Sequence, residues 1–211
     1  ALLAQKSGAD SITIHLREDR RHIRDLDLIN IKKKLKIPLN LEMAPTEKML
    51  KIASKYKPDY VCIVPEKREE LTTEGGLNIK KNKKIISKII KKLKRLKIKI
   101  SLFIEPNYRD IKISKFLGAD SVELHTGKYC NLFIKKKSTK KVFKKIYQSS
   151  LYAHKLGLKV HAGHGLTYNS AKKISKIKYI KELNIGHFII SESIFHGLKE
   201  TIIKFKKIIH K

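Results

Sequence analysis

The stretch Ser11-Ile-Thr-Ile-His-Leu-Arg-Glu-Asp-Arg-Arg-His22 decides the fold. Its first half alternates as a strand does, with Ile12, Ile14 and Leu16 on one side and Thr13 and His15 on the other. The alternation then gives way to a charged run, Arg17 to His22. A strand with one apolar face that ends this way presents polar groups at a rim. In parallel α/β proteins the carboxyl ends of the strands are where ligands sit.

The same arrangement recurs along the chain. A helix is expected over about Asp25 to Leu35, with Leu26, Ile29 and Leu35 as its apolar points, and Pro38 ends it. Leu39-Asn-Leu-Glu-Met43 reads as a strand, and Thr46 caps a helix through Ser54. Tyr60-Val-Cys-Ile-Val-Pro65 is a nearly continuous apolar strand, as expected when both faces are buried. A loop over Glu66 to Asn78 leads to a basic amphipathic helix from Ile79 to Leu96. Ile98 to Ile104 is a strand, Asp110 to Leu117 a helix closed by Gly118, and Ser121 to His125 a strand. A Lys-rich loop, Lys128 to Thr139, precedes a helix that runs to Leu156. Lys159 to Gly163 is a strand, followed by a helix from about Asn169. Gly186 to Ser191 is expected as the last strand and Ser193 to Lys211 as the last helix.

Seven strands alternating with helices, with no hairpin signal between them, imply a parallel sheet with crossover connections. The fold class is α/β: a (β/α)8 TIM barrel in one domain, 1–211, with seven of its eight strands visible. The chain starts with Ala inside a short helical segment, which reads as an N-terminally incomplete barrel. An open doubly wound sheet is the competing topology, disfavoured because no Gly-rich dinucleotide turn follows the first strand.

Composition narrows the function classes. Lys+Arg 49 against Asp+Glu 19 gives a formal charge of +30, which invites a nucleic-acid reading. The lysines are spread between apolar residues on every expected helix, however, and no stripe interleaves aromatics for base stacking. They read as solvated outer faces, with no specific nucleic-acid partner. No apolar run is long enough to span a bilayer, and the start has no signal-peptide pattern. Cys62 and Cys130 lack metal-ligand spacing, so the reading is a reduced, cytoplasmic protein.

The candidate chemistry lies on the inward strand positions. His15, Glu42, Glu123 and His125 fall in phase with Thr13, Asn40 and Ser121, near the carboxyl ends of their strands. Burying such groups is costly unless they are paired or used, and several strands placing them at the same end point to a catalytic rim. Gly163-His-Gly165 is a turn before a helix, suited to holding a phosphate through backbone N–H groups. Gly186-His187 would begin its strand and so lie at the amino end. Arg17, His22 and Thr72 suggest a second anion site. No metal constellation is evident.

Several segments together resemble the pyridoxine 5′-phosphate synthase family of the deoxyxylulose-dependent vitamin B6 pathway. They are His15-Leu-Arg-Glu-Asp-Arg-Arg-His22, Asn40-Leu-Glu-Met43, Val64-Pro-Glu-Lys-Arg68, Thr72-Thr-Glu-Gly-Gly-Leu77, Glu123-Leu-His-Thr-Gly127, Ala162-Gly-His-Gly-Leu-Thr-Tyr168 and Glu182-Leu-Asn-Ile-Gly-His187. The resemblance implies a (β/α)8 barrel assembled as a homo-octamer. It implies condensation of 1-deoxy-D-xylulose 5-phosphate with 3-amino-2-oxopropyl phosphate to pyridoxine 5′-phosphate, phosphate and water, with no cofactor. By motif match, His15 and Glu42 would accept protons, His164 would donate one, and Glu123 would stabilise a transition state. Arg17, His22 and Thr72 would hold the deoxyxylulose phosphate; Gly165, Gly186 and His187 would hold the amino-ketone phosphate.

Two departures stand out. The family's first strand carries an Asn-x-Asp-His motif and a following arginine, and nothing here matches them; about one βα unit, roughly 30 residues, would be absent. His161 stands where the family has an asparagine. A barrel lacking that unit is expected to expose strand edges on either side of the gap, and to fold poorly and be inactive as it stands. Two alternatives remain open on the residues alone: another phosphate-binding barrel isomerase or aldolase, and a basic nucleic-acid-binding module.

Overall fold

Helix and strand alternate along the chain because its apolar residues recur with period two in some segments and with helical spacing in others. The computed structural model describes residues 1–66 and 75–209. Helix α1 (Leu2–Lys6) precedes β1 (Ile12–His15), α2 (Asp25–Lys34) leads to β2 (Leu39–Met43), and α3 (Glu47–Tyr56) to β3 (Tyr60–Ile63). Then come α4 (Lys83–Arg95), β4 (Lys99–Ile104), α5 (Tyr108–Leu117) and β5 (Ser121–His125). After α6 (Gly127–Ile134) and α7 (Lys140–Lys155) follow β6 (Lys159–Gly163), α8 (Tyr168–Ile174), β7 (Ile180–Asn184), α9 (His187–His196) and α10 (Leu198–Ile209).

The described strands form one parallel sheet of seven in the order β1-β2-β3-β4-β5-β6-β7. A strictly sequential order excludes the doubly wound alternative, whose strand order reverses within the sheet. The sheet curls until its two edges come within side-chain reach. Asn40 Nδ2 donates to Thr13 Oγ1 at 3.2 Å, and Thr13 Oγ1 donates to Asn184 Oδ1 at 3.2 Å, joining β2, β1 and β7 across the interior. On the outside α10 packs on α1, and Lys206 Nζ lies 2.6 Å from Asp10 Oδ2. The described strands therefore make a curled half-barrel of seven, with no ladder between β1 and β7.

Register sorts the side chains. Outward residues such as Leu41, Val61, Ile100, Leu102, Val122 and Val160 are buried beneath the helices. Inward, His15 pairs in register with Glu42, Glu42 with Cys62 and Cys62 with Ser101. Phe103, Glu123, His161 and Glu182 form a second inward row. Helix α4 buries Ile86, Ile89, Ile90 and Leu93 as one stripe and turns its lysines to solvent; each such side chain contributes about 1.5–3 kcal/mol. Thr46 caps α3 by accepting from Met49 N, Asn107 caps α5 by accepting from Asp110 N, and Gly118 closes α5 at a φ of 87°.

The structure corrects four expectations. The last strand is Ile180–Asn184, and the Gly186–Ser191 segment belongs to the turn and helix after it. As an edge strand with a polar inner face, β7 needs little apolar sequence, so Lys181 and Glu182 hid it. The 128–139 segment is not a loop throughout: it contains most of α6, which buries Tyr129 and Cys130 and leaves Lys128 and Asn131 outside. The single helix expected from Ser193 is two, broken at Gly197, where φ is 78°. In α2 the anchoring residue is Leu28, fully buried, while Leu26 is 65% exposed.

Candidate active site

Polar side chains converge at the carboxyl ends of the strands. His15 ends β1, and its Nδ1 lies 3.8 Å from Glu42 Oε2 on β2. Its Nε2 is 3.0 Å from Glu66 Oε1, just beyond β3, and Glu66 Oε2 accepts from Glu18 N at 2.9 Å. An imidazole between two carboxylates is held in one orientation. The Glu42 carboxyl is raised above its ordinary range, chiefly by burial, with His15 pulling it back.

Glu123, in the middle of β5, is buried beneath this pair. It accepts from Asn184 Nδ2 at 2.6 Å, and the Cys62 thiol donates toward it at 3.8 Å. Its carboxyl is pushed up to about 8, first by burial and then by the charge of Glu42, against the opposing Asn184 hydrogen bond. Burial and the neighbouring Glu42 charge both favour the protonated form of this carboxyl. Burial holds the Cys62 thiol well above its usual pKa, so it remains a donor. Gly163 on β6 makes room for this carboxyl: a Cβ there would overlap Glu123 Oε1.

His164 follows β6 in a left-handed conformation, with φ of 78°, and Gly165 continues it at 80°. The Thr126 hydroxyl holds this turn, 2.7 Å from Gly163 O and 2.8 Å from His164 O. The His164 ring lies 4.9 Å from the His125 ring and 6.4 Å from Phe103, centroid to centroid. Its pKa is lowered by partial desolvation and by His125 and His187. His125 Nδ1 is 2.9 Å from Glu105 Oε1.

The fold thus unites His15, Glu42 and Glu123 in the interior and sets His164 and Gly165 beside them at the mouth. Gly186 and His187 stand just past the carboxyl end of β7, at the start of α9, and not at the amino end of a strand. Arg17 and His22 lie on the segment between β1 and α2. Arg17 is bound to Asp19 at 3.2 Å, the contact that raises its pKa, and lies within electrostatic reach of Glu66; His22 is exposed. Thr72 falls within 67–74, outside the described residues.

Sequence reasoning passed over Glu66, Glu105 and Asn184, and noticed His125 without placing it in the site. Their shared signal is a polar residue at or just after the end of a strand. Among the described residues no group of three or more His, Cys, Asp or Glu could hold a metal, and no helix is long and apolar enough to cross a membrane. Two surface clefts lie away from the mouth, one of about 320 Å³ around Lys57, Lys97 and Lys99, the other of about 380 Å³ beside Tyr168 and Thr201.

Comparison with known proteins agrees with this picture. The chain is 56% identical over 206 residues to the pyridoxine 5′-phosphate synthase of Pelagibacter ubique, covering 98% of the chain and 86% of that protein. It is 50% identical over 209 residues to the synthase of the same name from Ehrlichia chaffeensis, covering 99% of the chain and 85% of that protein. Among solved structures, phosphoribosyl anthranilate isomerase from Thermotoga maritima matches with a TM-score of 0.65 at 15% identity, over 99% of this chain and 92% of that one. A native KDPGal structure matches with a TM-score of 0.70 at 9% identity, over 99% of this chain and 85% of that one. These last two likenesses speak to the fold alone. The family model described as pyridoxal phosphate biosynthesis protein PdxJ matches residues 1–211, and with such identity across nearly the whole chain, this protein belongs to the PdxJ family.

Proposed function

We propose that the polar mouth is where this chain condenses 1-deoxy-D-xylulose 5-phosphate with 3-amino-2-oxopropyl phosphate, releasing pyridoxine 5′-phosphate, phosphate and water. That it is an enzyme, a pyridoxine 5′-phosphate synthase, follows from the family and from the names of its relatives. The proposal concerns which residues do the work. Joining an amine to a ketone, losing water and phosphate and closing an aromatic ring all require repeated proton transfer.

His15 and Glu42 accept protons, each close enough to steady the other's charge. Glu123, kept neutral by burial, donates a hydrogen bond to oxygen as negative charge develops on it. His164, once protonated, is a stronger acid than an unperturbed imidazolium because its pKa is lowered, which suits the loss of water or phosphate. Arg17, His22 and Thr72 hold the deoxyxylulose phosphate. Gly165, Gly186 and His187 hold the amino-ketone phosphate, the last two at a helix N-terminus whose N–H groups suit an anion.

The observation that carries this reading is geometric: the buried Glu123 carboxyl, held by Asn184, lies in the same interior as the His15–Glu42 pair. The same proposal includes a single barrel domain completed by an eighth strand between β7 and β1, a homo-octamer, a cytoplasmic location and catalysis without a cofactor. Product formation should be measured for the purified protein with and without a first βα unit supplied to complete the barrel, and, in the active form, for His15→Asn, Glu42→Gln, Glu123→Gln and His164→Asn. Each is expected to lose about 10²- to 10⁴-fold in kcat. Wild-type rates in the first and last would overturn the assignment.

A further inference from the structure

Behind His164 lies a buried pair that the roles above leave unused. Glu105, just beyond β4, and His125, the last residue of β5, are both nearly inaccessible, with side chains each 8% exposed. A carboxylate in such a place is costly unless its oxygens are taken up by donors. Glu105 Oε1 accepts from two: the backbone N–H of Gly76 at 2.9 Å and His125 Nδ1 at 2.9 Å. The proton on His125 is thereby placed on Nδ1, and its Nε2 side is turned toward Gly127 and His164.

The surroundings are shaped for this pair. Gly75, at a φ of 109°, packs so closely that a Cβ would stand 3.0 Å from His125 Cε1. A Cβ on Gly76 would stand 2.7 Å from Glu105 N. On the other side, a Cβ on Gly127 would stand 2.6 Å from His125 Nε2 and 3.0 Å from His164 Cδ2. Phe103 lies edge-on to the His125 ring at 5.1 Å and closes the remaining face. Three glycines and an aromatic ring leave His125 one position, and His164 rests against it.

We propose that Glu105 and His125 are a positioning pair: Glu105 fixes the ring of His125, and His125 fixes the orientation of His164. The inference rests on the reading of His164 as the proton donor. Burial first, and then, among the described residues, the titratable His125 from β5 and His187 from α9, disfavour the charged form of His164. Removing His125 should therefore move the His164 titration upward and shift the pH dependence of turnover with it.

The test combines imidazole NMR titration of His164 in the substrate-free protein with kcat and KM for both substrates in wild type, His125→Gln, Glu105→Ala and Glu105→Gln. In His125→Gln and Glu105→Ala, kcat should fall by up to about a hundredfold, as expected of a misplaced catalytic group, with KM for either substrate little changed. In His125→Gln the His164 titration and the pH profile should both move upward. Glu105→Gln keeps an oxygen for Gly76 N–H and His125 Nδ1–H and should retain most of kcat. If His125→Gln does not fold, Gly127→Ala, which wedges a methyl between the two rings, replaces it and should also shift the His164 titration. An unchanged His164 titration with unchanged kcat overturns the proposal, as does a Glu105→Gln variant as impaired as Glu105→Ala. Should His164→Asn retain full turnover, the donor role fails on its own, and the His164 titration in His125→Gln still decides whether the pair positions it.

Discussion

Glu123 shows how one residue ties chemistry to stability. Its carboxyl ionises near 4.5 when unperturbed and at about 8 in the folded chain, so between those values the folded state holds a proton that the unfolded state has released. Its contribution to stability is complete below the lower value and is lost as pH rises through the upper one. In thermal melts, Glu123→Gln should lessen the fall in Tm between about pH 5 and 8 relative to wild type. An unchanged slope would mean that Glu123 is not the group responsible. Gly163→Ala addresses the same carboxyl from β6. The added methyl overlaps Glu123 Oε1, so the variant should lose about 1–3 kcal/mol in urea unfolding and most of its turnover. The inward phase of His15, Glu42 and Glu123 was readable from alternation alone. The partners Asn184 and Glu66 were not, because each comes from a segment far away in sequence.

Among the elements, those with strong periodicity were the legible ones. β2, β5 and β6 begin and end where their sequence patterns do. Helix α4 follows its isoleucine stripe, and Ile89→Ala should cost about 2–5 kcal/mol by denaturant titration, whereas the exposed Lys91→Ala should stay within about 0.5 kcal/mol. The Thr46 cap was equally plain; Thr46→Ala should cost about 1 kcal/mol. β7 and α9 were misread because their surroundings are unusual. β7 is an edge strand with Glu182 and Asn184 on its inner side. α9 carries Ile190, Ile194 and Phe195 at 63%, 80% and 79% exposure, so its apolar residues do not mark a buried strand. Correcting these two elements carries Gly186 and His187 to the end of the sheet where the other candidate residues gather.

At the scale of the molecule, charge and topology act separately. A formal charge of +30, carried largely on outward helix faces, makes the folded state repel itself. Added neutral salt screens that repulsion, so Tm should rise with ionic strength before salting effects intervene; a flat response would show that local pairs such as Lys88–Glu47 already offset it. The curl of the sheet has a different origin. Sequential parallel pairing with the strand twist bends seven strands until Thr13 meets Asn184.

The linear order of residues was enough to determine the parallel α/β class, the inward set of His15, Glu42 and Glu123, and the family, because period and motif are local properties of the chain. Only the tertiary structure decided that burial and Glu42 raise the Glu123 carboxyl, that Glu66 and Asn184 are its neighbours' partners and its own, and that Glu105 and His125 stand behind His164. Burial and through-space charge arise when distant segments come together, and no local pattern carries them.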